Sequence, residues 1–209
     1  MKKAAVHQAR SRLIEGREAV QHMRNGPRSL DSMMRDWRAF LEAADDVFAK
    51  LQKGAQKNDA SQKWWGKLKQ LRKDDPLLSY IHHARRIEKH GLTFSTQMSA
   101  PAIELVDRTY AIPQERRGKE LLIDIGHPGK LVKTVLPTSV GLVPVVDDQY
   151  GDVFPVPKTH MGKPLTPTTI DDFAELALNT LEEIINEARD LLPPEQRTPW
   201  RDILTPGRT

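Results

Sequence analysis

The chain has 209 residues, 38% of them hydrophobic and 29% charged, with no cysteine and a formal net charge of +4. The lack of cysteine excludes disulfides, thiolate metal sites and a cysteine nucleophile. No apolar run approaches the roughly 18 residues of a membrane span, and none follows Met1-Lys2-Lys3 as it would in a signal peptide. The expected location is therefore the cytoplasm, with no membrane partner.

The charge is unevenly spread. Residues 1–92 hold 20 Lys and Arg against 11 Asp and Glu, residues 93–165 hold eight of each, and residues 166–209 hold four against nine. A basic first lobe favours RNA or another polyanion; the other reading is solubility together with docking against the chain's own acidic tail. The length suits two lobes on one body, here divided at 1–92 and 93–209.

In the first lobe, Val6, Ala9, Leu13, Val20 and Met23 recur at helical spacing and predict a helix over 4–24, stopped by Asn25-Gly26-Pro27. Ser29 is the expected N-cap of a second helix. Its apolar stripe runs through Met33, Trp37, Phe40, Leu41, Ala44, Val47, Phe48 and Leu51 to an end near Gly54. The polar connector Gln56-Lys57-Asn58-Asp59 leads to a third helix around Trp64, Trp65, Leu68 and Leu71. At that spacing the tryptophans read as core rather than as a base-stacking platform. A fourth helix has Asp75 as N-cap, Pro76 at its first position and Gly91 just past its end. Short connections between four helices predict an antiparallel four-helix bundle.

Thr93 to Ala100 reads as a polar linker. Beyond it, the runs Ile103 to Ala111, Glu120 to Ile125, Leu131 to Leu136, Leu142 to Val146 and Val153 to Val156 predict a small, mostly antiparallel β-sheet. Asp147 to Asp152 is the expected hairpin tip. A long helix over about 168–192 starts at Thr168 or Thr169 in capping-box fashion and stops before Pro193-Pro194. It buries Phe173, Leu176, Ala177, Leu181, Ile184, Ile185, Ala188 and Leu192, and is expected to turn Asp171, Asp172, Glu175, Glu182 and Glu187 outward. Residues 195–209 form a tail. The expected fold class is α+β.

The chemistry gathers on the fourth helix. At about 100° per residue, Leu77, Tyr80, Ile81, Ala84 and Ile87 share one arc, while His82, His83, Arg85, Arg86, Lys89 and His90 occupy most of the other. Glu88 falls inside the apolar arc and must be either paired or exposed at an interface, Arg85 being the nearest partner in sequence. Asp147, Asp148, Asp152 and His160 have oxygen and imidazole donors suited to a divalent cation but no fixed ligand spacing, and read as an acidic hairpin tip. His127 lies in a turn.

Residues 75–91, Asp-Pro-Leu-Leu-Ser-Tyr-Ile-His-His-Ala-Arg-Arg-Ile-Glu-Lys-His-Gly, place Arg85 and His90, with four residues between them, near the end of the last predicted bundle helix. This resembles the HEPN superfamily, whose Arg-x4–6-His motif occupies that place in many metal-independent ribonucleases, toxins and antiviral proteins. The resemblance covers roughly residues 4–92. The family often has a small polar residue, commonly Asn, directly after the motif arginine, where this chain has Arg86. The resemblance implies a cofactor-free and metal-free endoribonuclease of toxin or phage-defence type, with Arg85 and His90 catalytic and His82, Arg86 and Lys89 binding RNA. It also implies a homodimer and a cognate protein inhibitor. Histidine suits the base that activates a 2′-OH, and arginine suits charge stabilisation on the phosphate. Five residues turn a helix by roughly 140° and advance it about 7.5 Å, so a composite site across two chains is expected rather than one face of one helix. The alternative is a non-catalytic module that binds a protein or nucleotide partner.

Overall fold

The computed structural model describes residues 1–25, 30–56, 58–90, 95–98, 102–114, 120–135, 140–147, 151–166 and 169–197. The helical signals of the first half become α1 (Lys3–Asn25), α2 (Leu30–Ala55), α3 (Asp59–Asp74) and α4 (Pro76–His90). Capping sets the inner boundaries: the Asn58 side chain accepts from the Ser61 amide at the start of α3, and Asp75 accepts from the Leu78 amide at 2.9 Å to start α4. The proposed caps Ser29 and Gly91 lie outside the described residues.

Close approach of α1 to α2 depends on a residue without a side chain. The Lys2 amide donates to the Gly54 carbonyl at 3.1 Å, and a Cβ placed on Gly54 would lie 2.5 Å from that of Ala5. Val6, Leu13, Trp37, Phe40, Leu41, Leu51, Leu77 and Tyr80 are buried in one apolar cluster.

The second half supplies β1 (Thr96–Met98), β2 (Ala102–Asp107), β3 (Glu120–Ile123), β4 (Lys130–Val135), β5 (Val140–Leu142), β6 (Val145–Val146), β7 (Val153–Phe154), β8 (Thr159–His160), β9 (Lys163–Pro164) and α5 (Ile170–Asp190). Among the described residues the expected single sheet is instead four small antiparallel ones: β1 with β5, the order β2-β4-β3, β6 with β7, and β8 with β9. Pro144 stands between β5 and β6, and Pro155 and Pro157 follow β7; having no N–H to give a ladder, they end these strands after two or three residues. Strands β6 and β7 pair on either side of the turn expected at Asp147 to Asp152, with the Asp147 amide donating to the Asp152 carbonyl at 2.8 Å; residues 148–150 lie outside the described residues. The expected linker 93–100 contains β1.

Helix α5 begins at Thr169, whose hydroxyl and Asp172 form a reciprocal capping box. It packs against α1, α2 and α4, burying Ala174, Ala177, Leu178, Leu181, Ile184, Ile185 and Ala188 in the same cluster as the first four helices. The carboxylates expected to face outward do not all do so. Glu182 meets Arg10 and Arg17 of α1, Asp171 and Glu175 meet Arg24 at 2.9 and 3.4 Å, and Glu187 accepts from the Trp64 indole at 3.0 Å. Part of the first lobe's excess positive charge is thus matched from within the chain. Among the described residues, no helix is long and apolar enough to cross a membrane.

Candidate nucleic-acid interface

The polar arc of α4 is shared among three neighbours. Arg85 faces α2, with its guanidinium 3.6 Å from Glu42 and 18% of its side chain exposed. Arg86 points to the β6–β7 hairpin, 2.9 Å from a buried Asp147 oxygen. His82 lies beside Arg72 of α3 and 3.7 Å from Asp45 of α2; His82 and Arg72 together hold the Asp45 carboxyl below the usual carboxylate range against the opposing effect of its burial. Lys89 is exposed. His90 is the last residue of α4, and its side chain lies outside the described residues.

Glu88 is buried as its place in the apolar arc requires, with 2% of its side chain exposed, but its cation is Arg38 of α2 at 2.8 Å rather than Arg85. The other carboxylate oxygen accepts from the Ser95 amide at 3.0 Å and from the Ser95 hydroxyl at 2.9 Å. That hydroxyl in turn accepts from the Trp37 indole at 2.8 Å. The Tyr80 hydroxyl shares its proton between the carbonyls of Val143, at 2.7 Å, and Ser95, at 3.0 Å. Burial, followed by the Glu88 charge, pushes its ionisation well above the ordinary tyrosine value. These residues fasten α4 to α2 and to β1 and β5; they are structural.

His160, considered with Asp147 and Asp152 as a cation site, is engaged elsewhere. Its ring nitrogens lie 2.9 Å from Asp75 and 2.6 Å from the Thr180 hydroxyl, all three residues being buried. Among the described residues there is no grouping of three or more His, Asp or Glu able to hold a metal ion. His127 is exposed in its turn, as expected.

The most accessible chemistry lies on the side of α4 that faces α3. A cleft of about 440 Å³ is lined by Gln52, Trp65, Lys69, Arg72, Lys73, Ser79, His82 and His83. A second, of about 470 Å³, shares Lys73 and Ser79 with it and continues along Pro76, Tyr80 and Phe154 to Lys158 and Thr159. Between them His83 stacks on Phe154, ring centroids 3.4 Å apart and planes 11° apart. Burial, then the neighbouring His82, lowers the His83 pKa to about 4, so the stacked ring is uncharged at neutral pH. No Asp or Glu is among the described residues lining either cleft. Together the two clefts bear Lys69, Arg72, Lys73 and Lys158 with the rings of Trp65, Tyr80, His82, His83 and Phe154, and of these cations Arg72 lies 3.8 Å from the Asp45 carboxylate.

No family model matches the chain, and no curated protein or solved structure matches it. The site therefore rests on its own geometry. Of the residues singled out from sequence, His82 lines the groove, whereas Arg85 and Arg86 lie against Glu42 and Asp147. Lys69, Arg72, Lys73, Phe154 and Lys158 were not among them, and Trp65, read from sequence as core, is partly buried against the core while also lining the groove. The signal of the α3 cations is nevertheless present: Lys69, Arg72 and Lys73 stand at i+4, i+7 and i+8 from Trp65, on the side of the helix next to Trp64, Leu68 and Leu71, and all of these apolar residues, Trp65 included, pack against the core.

Proposed function

We propose that this protein binds RNA through the groove between α3 and α4. The observation that carries the reading is the convergence of Lys69, Lys73 and Lys158 on a concave surface with no lining carboxylate, joined by Arg72, whose own carboxylate neighbour is Asp45 at 3.8 Å, because a concave surface with cations in excess of its counter-charge attracts phosphates. Anisotropy with a labelled oligoribonucleotide tests it. Affinity falls steeply as salt rises, since each phosphate contact releases counterions, and Lys69→Glu with Lys73→Glu lowers it further. Equal binding at low and high salt would overturn the reading.

The stronger form of the proposal takes α1 to α4 as an antiparallel bundle of HEPN kind, acting as a homodimer in which Arg85 and His90 cleave the bound RNA. Cleavage then proceeds in EDTA and leaves 2′,3′-cyclic phosphate ends. His90→Ala abolishes it and spares binding, whereas Arg85→Ala reduces both. A magnesium requirement, or a monomer by light scattering at high concentration, would remove the catalytic part and leave RNA binding standing.

A second reading, an interaction module, is favoured by one observation. Leu105 and Ile123 both register with Val132 across β2-β4-β3, which puts them on one sheet face. They are 62% and 47% exposed, with Leu121 of the same face at 50%.

A further inference from the structure

The groove carries more than positive charge. Trp65 and His83 line one cleft and Phe154 the other, so aromatic rings share two adjoining clefts with Lys69, Arg72, Lys73 and Lys158. Cations alone suit any polyanion. Aromatic rings interleaved with cations suit a strand whose bases are available to stack while its phosphates meet the cations. A duplex hides its base faces within the helix and offers a convex phosphate surface, from which the rings in a cleft gain nothing.

Size points the same way. Clefts of about 440 and 470 Å³ fall in the range of roughly 300–1,000 Å³ that encloses a small molecule; each suits one nucleotide and neither suits a helix about 20 Å across. The stacked pair is also pre-built. The His83 ring already lies flat on Phe154, and Arg72 is held over the Phe48 ring at 4.7 Å, so little side-chain ordering remains for the ligand to impose.

We propose that the α3–α4 groove is a site for unpaired nucleotides, set toward the N-terminal half of α4 and apart from Arg85 and His90. One base stacks in the cleft of Trp65 and His83, and the adjoining nucleotide enters the cleft of Phe154. The proposal rests on the RNA-binding reading above and adds to it a preference for single strands and a contribution from the bases themselves.

Anisotropy at one fixed salt concentration tests it with three probes of equal length: a single-stranded oligoribonucleotide, its annealed duplex, and an abasic ribose-phosphate chain. The expected result is binding of the single strand, with the duplex and the abasic chain at least about tenfold weaker, the loss that removing one stacked base produces. Trp65→Leu weakens single-strand binding by about tenfold and leaves the abasic chain unaffected, and Trp65→Phe restores most of the affinity. If Trp65→Leu does not fold, the comparison of probes on the unaltered protein decides by itself. Equal affinity for all three probes would overturn the inference and leave the RNA-binding reading intact, as a purely electrostatic groove. Failure to bind any of the three, or binding of an acidic peptide in their place, would overturn both.

Discussion

At the scale of single residues, Glu88 is a carboxylate kept inside the core by three donors, one from Arg38 and two from Ser95. Removing the acceptor strands the Ser95 amide and relaxes the Trp37–Ser95 arrangement, while Arg38, half exposed, can turn to water. A buried donor without a partner costs about 1–3 kcal/mol, so Glu88→Ala is expected to lower unfolding stability by about 2–4 kcal/mol, and Glu88→Gln by less. Urea titration of the two variants measures this; an unchanged midpoint for Glu88→Ala would show that the network contributes nothing. Oligomeric state should not change, because these donors belong to the same chain. His83 supplies a pH signature. Its folded pKa of about 4 lies below the roughly 6.5 of an unfolded histidine, so between those values the unfolded chain binds more protons. Stability contributed in this way is present above about pH 6.5 and is lost as pH falls toward 4. The melting temperature should decline over that window, and His83→Gln should flatten the decline. Asp75 acts lower on the scale: burial raises its carboxyl pKa, but hydrogen bonds from His160, Leu78 and Met161 outweigh that and hold it below the usual value. Its stabilising contribution is therefore lost only as pH falls below the ordinary aspartate range, whereas in the higher window His7, whose pKa is also lowered by burial and then by Lys3, acts in the same direction as His83.

At the scale of elements, two glycines in helices separate packing from propensity. Alanine in place of a helical glycine ordinarily stabilises by about 0.5–1 kcal/mol. On α3, nothing lies within 4 Å of a Cβ added at Gly66, and Gly66→Ala should realise that gain. On α2, the Cβ of Gly54→Ala would meet Ala5 at 2.5 Å, on a neighbouring helix whose backbone must move to relieve it. Overpacking of this kind costs about 1–3 kcal/mol, so the sign should reverse. Thermal melts of the two variants check the helix contact directly; stabilisation by both would mean that α1 does not approach α2 at Gly54.

For the whole molecule, the decisive feature is how charge is partitioned between inside contacts and open surface. Arg10, Arg17 and Arg24 of α1 are matched by Glu182, Glu175 and Asp171 of α5, whereas no acid among the described residues lines the α3–α4 groove, where Arg72 is set near a carboxylate, 3.8 Å from Asp45. Burial raises the Glu182 pKa, but Arg10 and Arg17 more than offset this and hold it below the usual value. Half-exposed pairs of this kind contribute about 0.2–1 kcal/mol each and weaken with salt. Arg10→Ala with Arg17→Ala should lower stability by about 1 kcal/mol in dilute buffer and by less in 1 M salt. The same double variant should alter RNA affinity by less than about twofold, well below the effect of Lys69→Glu with Lys73→Glu. A larger loss of affinity from the α1 pair would place the interface on the wrong helix.

Much of this was legible in the sequence because it depends on neighbours along the chain. Helical periodicity located α1 to α5, Asp75-Pro76 marked the start of α4, Thr169 with Asp172 marked that of α5, and Asp147 to Asp152 marked a hairpin. Each is a local signal, set by 3.6-residue spacing or by a side chain reaching a backbone amide three residues away. Burial of Glu88 was likewise readable from its arc. What local spacing cannot express is the partner across space. Arg38 rather than Arg85 answers Glu88, α5 turns its carboxylates to α1 rather than outward, and His160 closes on Asp75 and Thr180 instead of on an acidic hairpin. The strands separate into four small sheets because proline removes donors at points where pairing must continue. The groove is the clearest case, since its two walls are far apart in sequence. Trp65, Lys69 and Lys73 come from α3, His82 and His83 from α4, and Phe154 and Lys158 from the segment beyond β6. Only the packing of β7 and β8 against α4 brings those rings and charges together, because a long-range contact is decided by the whole chain's burial of apolar surface and not by any stretch of it.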